Sequence, residues 1–277
     1  MQKFRWAIVG TGEVAGKFTI ALRSLVGAEA SLVASRSAER AAAFAAKLGI
    51  KNSVGNYEAA ARANVDAVYV ATPPSEHRDH ALLFIAAGKA VLIEKPLATN
   101  EDDAQAIVHS ARAAGVFCME GMWTRFLPAM GVARALIDDG KIGVPRSLAA
   151  EFAIANEVDP MSPLFRADLG GGATLDRAIY PISLAFDLLG SCELGAATVV
   201  MGETGVEEEV TALLRHRNNV ISTIHAGLRT TGENGLSILG TEGALRFVGP
   251  IYRPFGVILE KIQPRRRSAR PSYSVRG

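Results

Sequence analysis

Cysteine is nearly absent: the 277 residues contain two, Cys118 and Cys192. They are far apart in apolar surroundings and form no metal-ligand spacing with any of the five histidines, so they read as core thiols, and no metal is expected. Missing too is any apolar run approaching the roughly 20 residues that span a bilayer. Met1-Gln-Lys-Phe-Arg5 enters directly into a strand and a glycine turn instead of a signal-peptide pattern. A cytoplasmic protein without a membrane partner is therefore expected. Acids are absent from residues 265–277, where Arg265, Arg266, Arg267, Arg270 and Arg276 crowd together; subtracting those five from the net +2 leaves residues 1–264 at −3. A mildly acidic body gives no nucleic-acid surface, and the tail is expected to be solvated and poorly ordered. What is present, 49% hydrophobic and 21% charged residues, belongs to a soluble globular chain of one large or two ordinary domains.

The first half alternates strands and helices. Phe4-Arg-Trp-Ala-Ile-Val9 reads as a strand and is followed by Gly10-Thr11-Gly12-Glu-Val14-Ala15 and a helix to about Leu25. This is G-x-G-x-x-A at a strand-to-helix turn. Gly10 makes the tight turn, Gly12 admits a pyrophosphate to the backbone, and Ala15 lets the helix pack on the sheet. Free N–H groups at the helix start then face the phosphates.

The second strand, Ala30–Ser35, ends about 20 residues later, where NAD-binding folds carry an acid for the ribose hydroxyls. Here the sequence reads Ser35-Arg36-Ser37, with Arg40 one turn on, and none of the three residues at the strand end is a carboxylate. A guanidinium beside hydroxyls suits a 2′-phosphate, so NADP is expected over NAD; the alternative for Arg36 is a solvated residue at a helix start.

Further helices (38–48, 56–62, 76–87, 101–114) and strands (52–54, 66–71, 90–93, 116–119) complete six strands, hence a doubly wound parallel sheet. Ser75 is placed to cap the fourth helix. Thr72-Pro73 ends one strand at the ligand edge, and His77 lies beside the expected cofactor or else on the surface. Ala90-Val-Leu-Ile93, read as a fully buried strand, ends in Glu94-Lys95-Pro96, which sets Lys95 at the edge where open α/β sheets bind ligands.

After Glu120 the pattern changes. A helix ending near Asp138 leads into β-rich segments at 147–154, 195–201, 210–215, 220–228, 236–239 and 244–248, with turns that suit antiparallel connections. Among them is the helix of Gly170-Gly-Gly172-Ala-Thr-Leu-Asp176-Arg-Ala-Ile-Tyr180. Its glycines allow close approach of a ligand or another chain, and its Asp176 and Tyr180 share a face. Tyr180 with a nearby ammonium from Lys95 would form an acid/base unit for a hydroxyl that becomes a carbonyl; a core aromatic is the plainer role. The expected layout is residues 1–121, 122–264 and the tail.

Gly10-Thr-Gly12, Ser35-Arg36, Thr72-Pro73, Glu94-Lys95-Pro96, Trp123-Thr-Arg125-Phe and Gly170-Gly-Gly172 through Tyr180 together resemble the Gfo/Idh/MocA oxidoreductases, nearest the branch of dimeric dihydrodiol dehydrogenase and NADP-dependent D-xylose dehydrogenase. The resemblance implies an N-terminal Rossmann domain, a C-terminal α/β domain with a large, mainly antiparallel open sheet, and a homodimer through that sheet. It also implies NADP-linked oxidation of a secondary alcohol in a sugar or cyclic diol. By position, Lys95, Tyr180 and Asp176 would be catalytic. Trp123 and Arg125 would line the substrate side with Tyr180, and the Lys95–Pro96 bond would be cis. Two departures stand out. Arg177-Ala178 replaces an apolar residue and glycine, so the helix is expected to crowd the pocket. Residues 264–277 lack the further strand and helices of such relatives, so this end is expected to be truncated or replaced. A weak or inactive dinucleotide-binding protein is the alternative on that account.

Overall fold

The computed structural model describes residues 3–262, so the basic tail lies outside the described residues. The first sheet contains β1 (Phe4–Val9), β2 (Ala28–Ala34), β3 (Asn52–Val54), β4 (Ala67–Val70), β5 (Ala90–Ile93) and β6 (Cys118–Glu120). All pairings are parallel, in the order β3-β2-β1-β4-β5-β6. This doubly wound order places a topological switch between β1 and β4, and ligands bind there at the strands' carboxyl ends.

Both sheet faces are covered because successive strand residues point to opposite sides. Val9, Ala34, Val70 and Ile93 pack on one side with Phe84 and Ile107. Ile8, Val33 and Tyr69 pack on the other with Ala15, Ala41 and Leu48. In β5 only Val91 and Ile93 are fully buried; Ala90 and Leu92 keep some exposure.

Five helices link these strands: α1 (Glu13–Leu22), α2 (Ala38–Leu48), α3 (Tyr57–Ala61), α4 (His77–Ala86) and α5 (Glu101–Ala114). Their ends follow local chemistry. Ser37 caps α2 by accepting from the Arg40 amide, Asn100 caps α5, and Gly49 and Gly115 close those helices in the left-handed conformation. Ser75 does not cap α4: a 3₁₀ turn over Pro74–Glu76 intervenes, which leaves Glu76 at the cap position with no side-chain bond.

Beyond α6 (Pro128–Asp138) lies the second sheet, with α7 (Ile179–Leu189) packed on it. Its strands are β7 (Pro145–Ala153), β8 (Cys192–Met201), β9 (Glu207–His216), β10 (Ile221–Gly227), β11 (Leu236–Gly240), β12 (Gly243–Val248) and β13 (Gly256–Lys261), in the order β13-β12-β11-β7-β10-β9-β8. Pairing is antiparallel except for β7 with β10. The connection through α7 leads to β8 at the sheet's edge, and the antiparallel run β8-β9-β10 then brings the chain back beside β7 in the same direction. β13 has no counterpart among the expected strands; with Val257 and Ile258 side by side it lacks the alternation of a one-faced strand. One face of this sheet holds Leu148, Phe152, Leu214 and Ile224 against Met130 and Leu184. On the other, Leu213, Ile221, Leu239 and Ile258 are exposed. Cys118 and Cys192 are free and half-buried, not fully core. No described helix is long and apolar enough to cross a membrane.

Candidate active site

The glycine turn is shaped for a diphosphate. Gly10 adopts φ +109°, and a Cβ there would lie 2.4 Å from the Ala71 carbonyl oxygen, so β1 can turn beside β4 only with glycine. Gly12, in extended conformation, precedes the first turn of α1. A Cβ added to it would meet nothing within 4 Å, which leaves room above the free N–H groups of the helix. Ala15 is fully buried against the sheet, while Val14 stays half exposed at the rim. These residues fit a bound dinucleotide.

At the end of β2, Ser35 is buried and accepts from the Ser37 amide, and the Ser37 hydroxyl is engaged as the α2 cap. Arg40 reaches the Thr11 hydroxyl at 3.5 Å. Arg36 corrects the sequence reading: a carboxylate does face it, because Glu76 lies 3.0 Å from its guanidinium. Glu76 is also 3.6 Å from His80, whose other ring nitrogen meets the Thr72 hydroxyl.

His77 is also relocated. Its side chain is fully buried, with one ring nitrogen 2.8 Å from the Pro96 carbonyl oxygen and the other 2.9 Å from that of Thr72. Burial holds its pKa below the ordinary histidine value. His77 therefore ties the Thr72-Pro73 turn to the Lys95-Pro96 turn and reaches a ligand only through them.

The Lys95–Pro96 bond is cis, as the resemblance implied. Glu94 accepts a bond from the Tyr69 hydroxyl and one from the Lys95 amide, and burial raises its pKa. The Lys95 ammonium crosses to the second half of the chain, where it donates to the Asp176 carboxylate and the Asp176 carbonyl oxygen, each at 2.9 Å. Burial disfavours this ammonium, but Asp176 and Tyr180 outweigh it and the pKa lies above the ordinary lysine value. Asp176 is likewise held low, since Lys95 and Arg177 overcome its burial.

The geometry around Asp176 has a local cause. Residues Thr174–Ala178 form a π turn ahead of α7. The residue five positions beyond Asp176 is Pro181, which has no N–H to offer the Asp176 carbonyl, and Lys95 takes that place. Tyr180 follows on the same side, 8% exposed, with its ring centroid 5.1 Å from the Lys95 ammonium nitrogen. Burial raises the Tyr180 pKa; the Lys95 charge and Trp123 pull the other way. Val14, Thr72, Glu94, Lys95, Gly170 and Asp176 line a cleft of about 400 Å³. Gly170 lets the second half of the chain touch the first, since its hydrogen points at Pro74 and Thr99, where a Cβ would overlap both. The glycine run thus approaches the chain's own residues.

Trp123, Arg125 and Tyr180, all expected on the substrate side, lie outside this lining. Arg125 shares the Asp187 carboxylate with Arg134, at 3.1 and 2.6 Å respectively. Arg177 does not crowd the cleft as expected. It is buried, donating to Asp176, to the carbonyls of Ile154 and Gly227, and to the Asn156 side chain, with its guanidinium 5.1 Å from the Phe152 ring centroid. Sequence reading overlooked the place of Glu76 and the service of Arg177. The departure at Arg177 was visible, but its direction depends on strand ends that spacing does not locate.

Comparison with known proteins identifies the family. Residues 4–122 match the family model described as "Oxidoreductase family, NAD-binding Rossmann fold", and residues 131–246 match "GFO/IDH/MocA C-terminal domain". Trans-1,2-dihydrobenzene-1,2-diol dehydrogenase of Mus musculus is 36% identical over 247 residues, covering 86% of this chain and 73% of that protein. The Homo sapiens protein of the same name is 33% identical over 261 residues, covering 92% and 78%. A 3-ketoreductase from Actinomadura kijaniata, solved with NADP and TDP-benzene, superimposes with TM-score 0.86 at 30% identity, covering 94% of this chain and 82% of that one.

Proposed function

The chain belongs to the Gfo/Idh/MocA oxidoreductase family, and on that premise we propose that it is an NADP-dependent dehydrogenase of a secondary alcohol in a cyclic diol or sugar. The observation that carries this reading is the meeting of Lys95 and Asp176, which line the cleft, with Tyr180, whose phenol ring lies 5.1 Å from the ammonium. A bound nicotinamide cofactor supplies the hydride acceptor. The glycine turn and the start of α1 would hold its diphosphate, and the Thr72 and Lys95 turns would stand beside its reacting end. Tyr180 takes the hydroxyl proton as the substrate C–H bond breaks. The ammonium of Lys95 stabilises the phenolate that does so, and Asp176 keeps the ammonium in place.

Arg36, Arg40 and Thr11 support NADP as the preferred cofactor; Glu76 works against it by pairing with Arg36. The diol or sugar class rests on the names of the relatives. The test is a spectrophotometric assay of NADP⁺ reduction with trans-1,2-dihydrobenzene-1,2-diol, pentoses and hexoses, run beside thermal shifts with NADP⁺ and NAD⁺. Reduction with at least one of these alcohols is expected. Binding of the nucleotide with no reduction across the panel would leave a non-catalytic binding protein.

We also place a homodimer contact on the uncovered face of the second sheet, where Leu213, Ile221, Leu239 and Ile258 are exposed. Sedimentation equilibrium should give about twice the 29.3 kDa chain mass. A monomer at micromolar concentration would remove this contact.

A further inference from the structure

Arg177 stands outside the cleft lining but is joined directly to Asp176, which lines it. β7 and β10 run parallel and end side by side, which brings the carbonyl of Ile154 just past β7 and that of Gly227 at the end of β10 within reach of one side chain. One nitrogen of the Arg177 guanidinium donates to both, at 3.0 Å each. A second donates to Asn156 at 2.6 Å, and the third, Nε, to the Asp176 carboxylate at 3.2 Å. A buried arginine with this many acceptors is fixed in direction, because its fork is planar and charged. The two oxygens of Asp176 are thus divided, one to Lys95 and one to Arg177. The guanidinium also stacks on Phe152, whose ring meets that of Tyr180 edge-on at 5.4 Å.

The charges around the phenol give this placement a purpose. Tyr180 faces Lys95 and Glu94 from the end of β5 and Asp176 from the π turn, with the neutral Trp123 and Tyr252 beside it. One cation stands against two carboxyl groups. Both carboxylates oppose proton loss from the phenol. Arg177, on the far side of Asp176, restores the balance and leaves the Lys95 charge free to act on Tyr180.

We infer that Arg177 is a positioning residue of the reaction: it holds the Asp176 carboxylate toward Lys95 and offsets its charge, so that the ammonium serves the phenol. This rests on the reading of Lys95 and Tyr180 as the proton-transfer pair. An arginine that only tied the strand ends together would affect stability and leave the titration of the site unchanged.

The test compares wild type, Arg177→Met, Arg177→Lys, Asp176→Asn and the Asp176→Asn/Arg177→Met pair, with trans-1,2-dihydrobenzene-1,2-diol and NADP⁺ as substrates. NADPH dissociation constants come from fluorescence titration and folding from thermal melts. In Arg177→Met, kcat near neutral pH should fall about tenfold to a hundredfold. The alkaline-side inflection of log kcat against pH should rise by about one unit, while NADPH binding stays within about threefold of wild type. Arg177→Lys, which keeps a cation, should recover part of the inflection shift, and it carries the test if the methionine variant does not fold. In the Asp176→Asn background the methionine change should add little further loss. An unmoved inflection in both Arg177 variants, or losses that multiply in the double variant, overturns the inference. Retained activity in Lys95→Ala and Tyr180→Phe would instead overturn the pair on which it rests.

Discussion

Lys95→Ala and Tyr180→Phe are each expected to lower kcat for alcohol oxidation by about 10²–10⁴-fold, with NADPH binding little changed in Tyr180→Phe. Tyr180→Phe is the sharper experiment. It removes one oxygen and keeps the ring that packs edge-on against Phe152 and contacts Tyr252, so the core around α7 survives. A loss in that variant is a loss of proton transfer. Lys95→Ala is broader, since the ammonium also bonds Asp176 twice and its removal leaves that carboxylate with Arg177 as its remaining cation. A lower melting temperature is therefore expected in Lys95→Ala and not in Tyr180→Phe. Near-wild-type kcat in both variants would remove the mechanism.

The second large effect concerns the cofactor. Arg36→Ala should weaken NADP⁺ relative to NAD⁺ by about 1.5–3 kcal/mol, the worth of a hydrogen bond to a charged group, which is roughly tenfold to a hundredfold in the ratio of dissociation constants. Glu76→Gln should move the ratio the other way. In the wild type Glu76 occupies the guanidinium at 3.0 Å, and a 2′-phosphate has to displace it and then sit beside a carboxylate. Neutral glutamine keeps the shape and removes the repulsion. Both ratios are read by titrating protein fluorescence with each nucleotide, so neither depends on turnover. A preference for NADP that survives Arg36→Ala, or equal efficiency with both cofactors in the wild type, would contradict the assignment.

The opposite directions of these two variants mark where the sequence could be read and where it could not. The strand, glycine turn and helix at Phe4–Leu22 are local: a buried run, two glycines and a small residue at fixed offsets carry their own explanation. The same holds for α2 and α5, each with a cap and a closing glycine. Arg36 was legible as a cation at the end of β2, whereas Glu76 belongs to a different strand-to-helix connection, and only the neighbouring of β2, β1 and β4 brings it near. His77 illustrates the same limit. As one histidine in a first helical turn it could face a ligand, but the packing of α4 against the Lys95 turn buries it between two carbonyls. Arg177 was visible as an unusual residue. Its direction was not, because that depends on β7 and β10 ending together, and the one parallel pair in the second sheet gave no sign in turn composition. The π turn was hidden for a related reason: Asp176 and Tyr180 lie four apart in an α-helix or beside one, and only Pro181 hinted that the register would slip.

The two bonds from the Lys95 ammonium to Asp176 join the Rossmann half of the chain to the half that packs against it. Swinging those halves apart to admit a nucleotide would strip both partners from the ammonium, and swinging them back would restore them. The amine assigned to the chemistry would then act as a catch as well, its positive charge steadied by the Asp176 carboxylate while the two halves stay together.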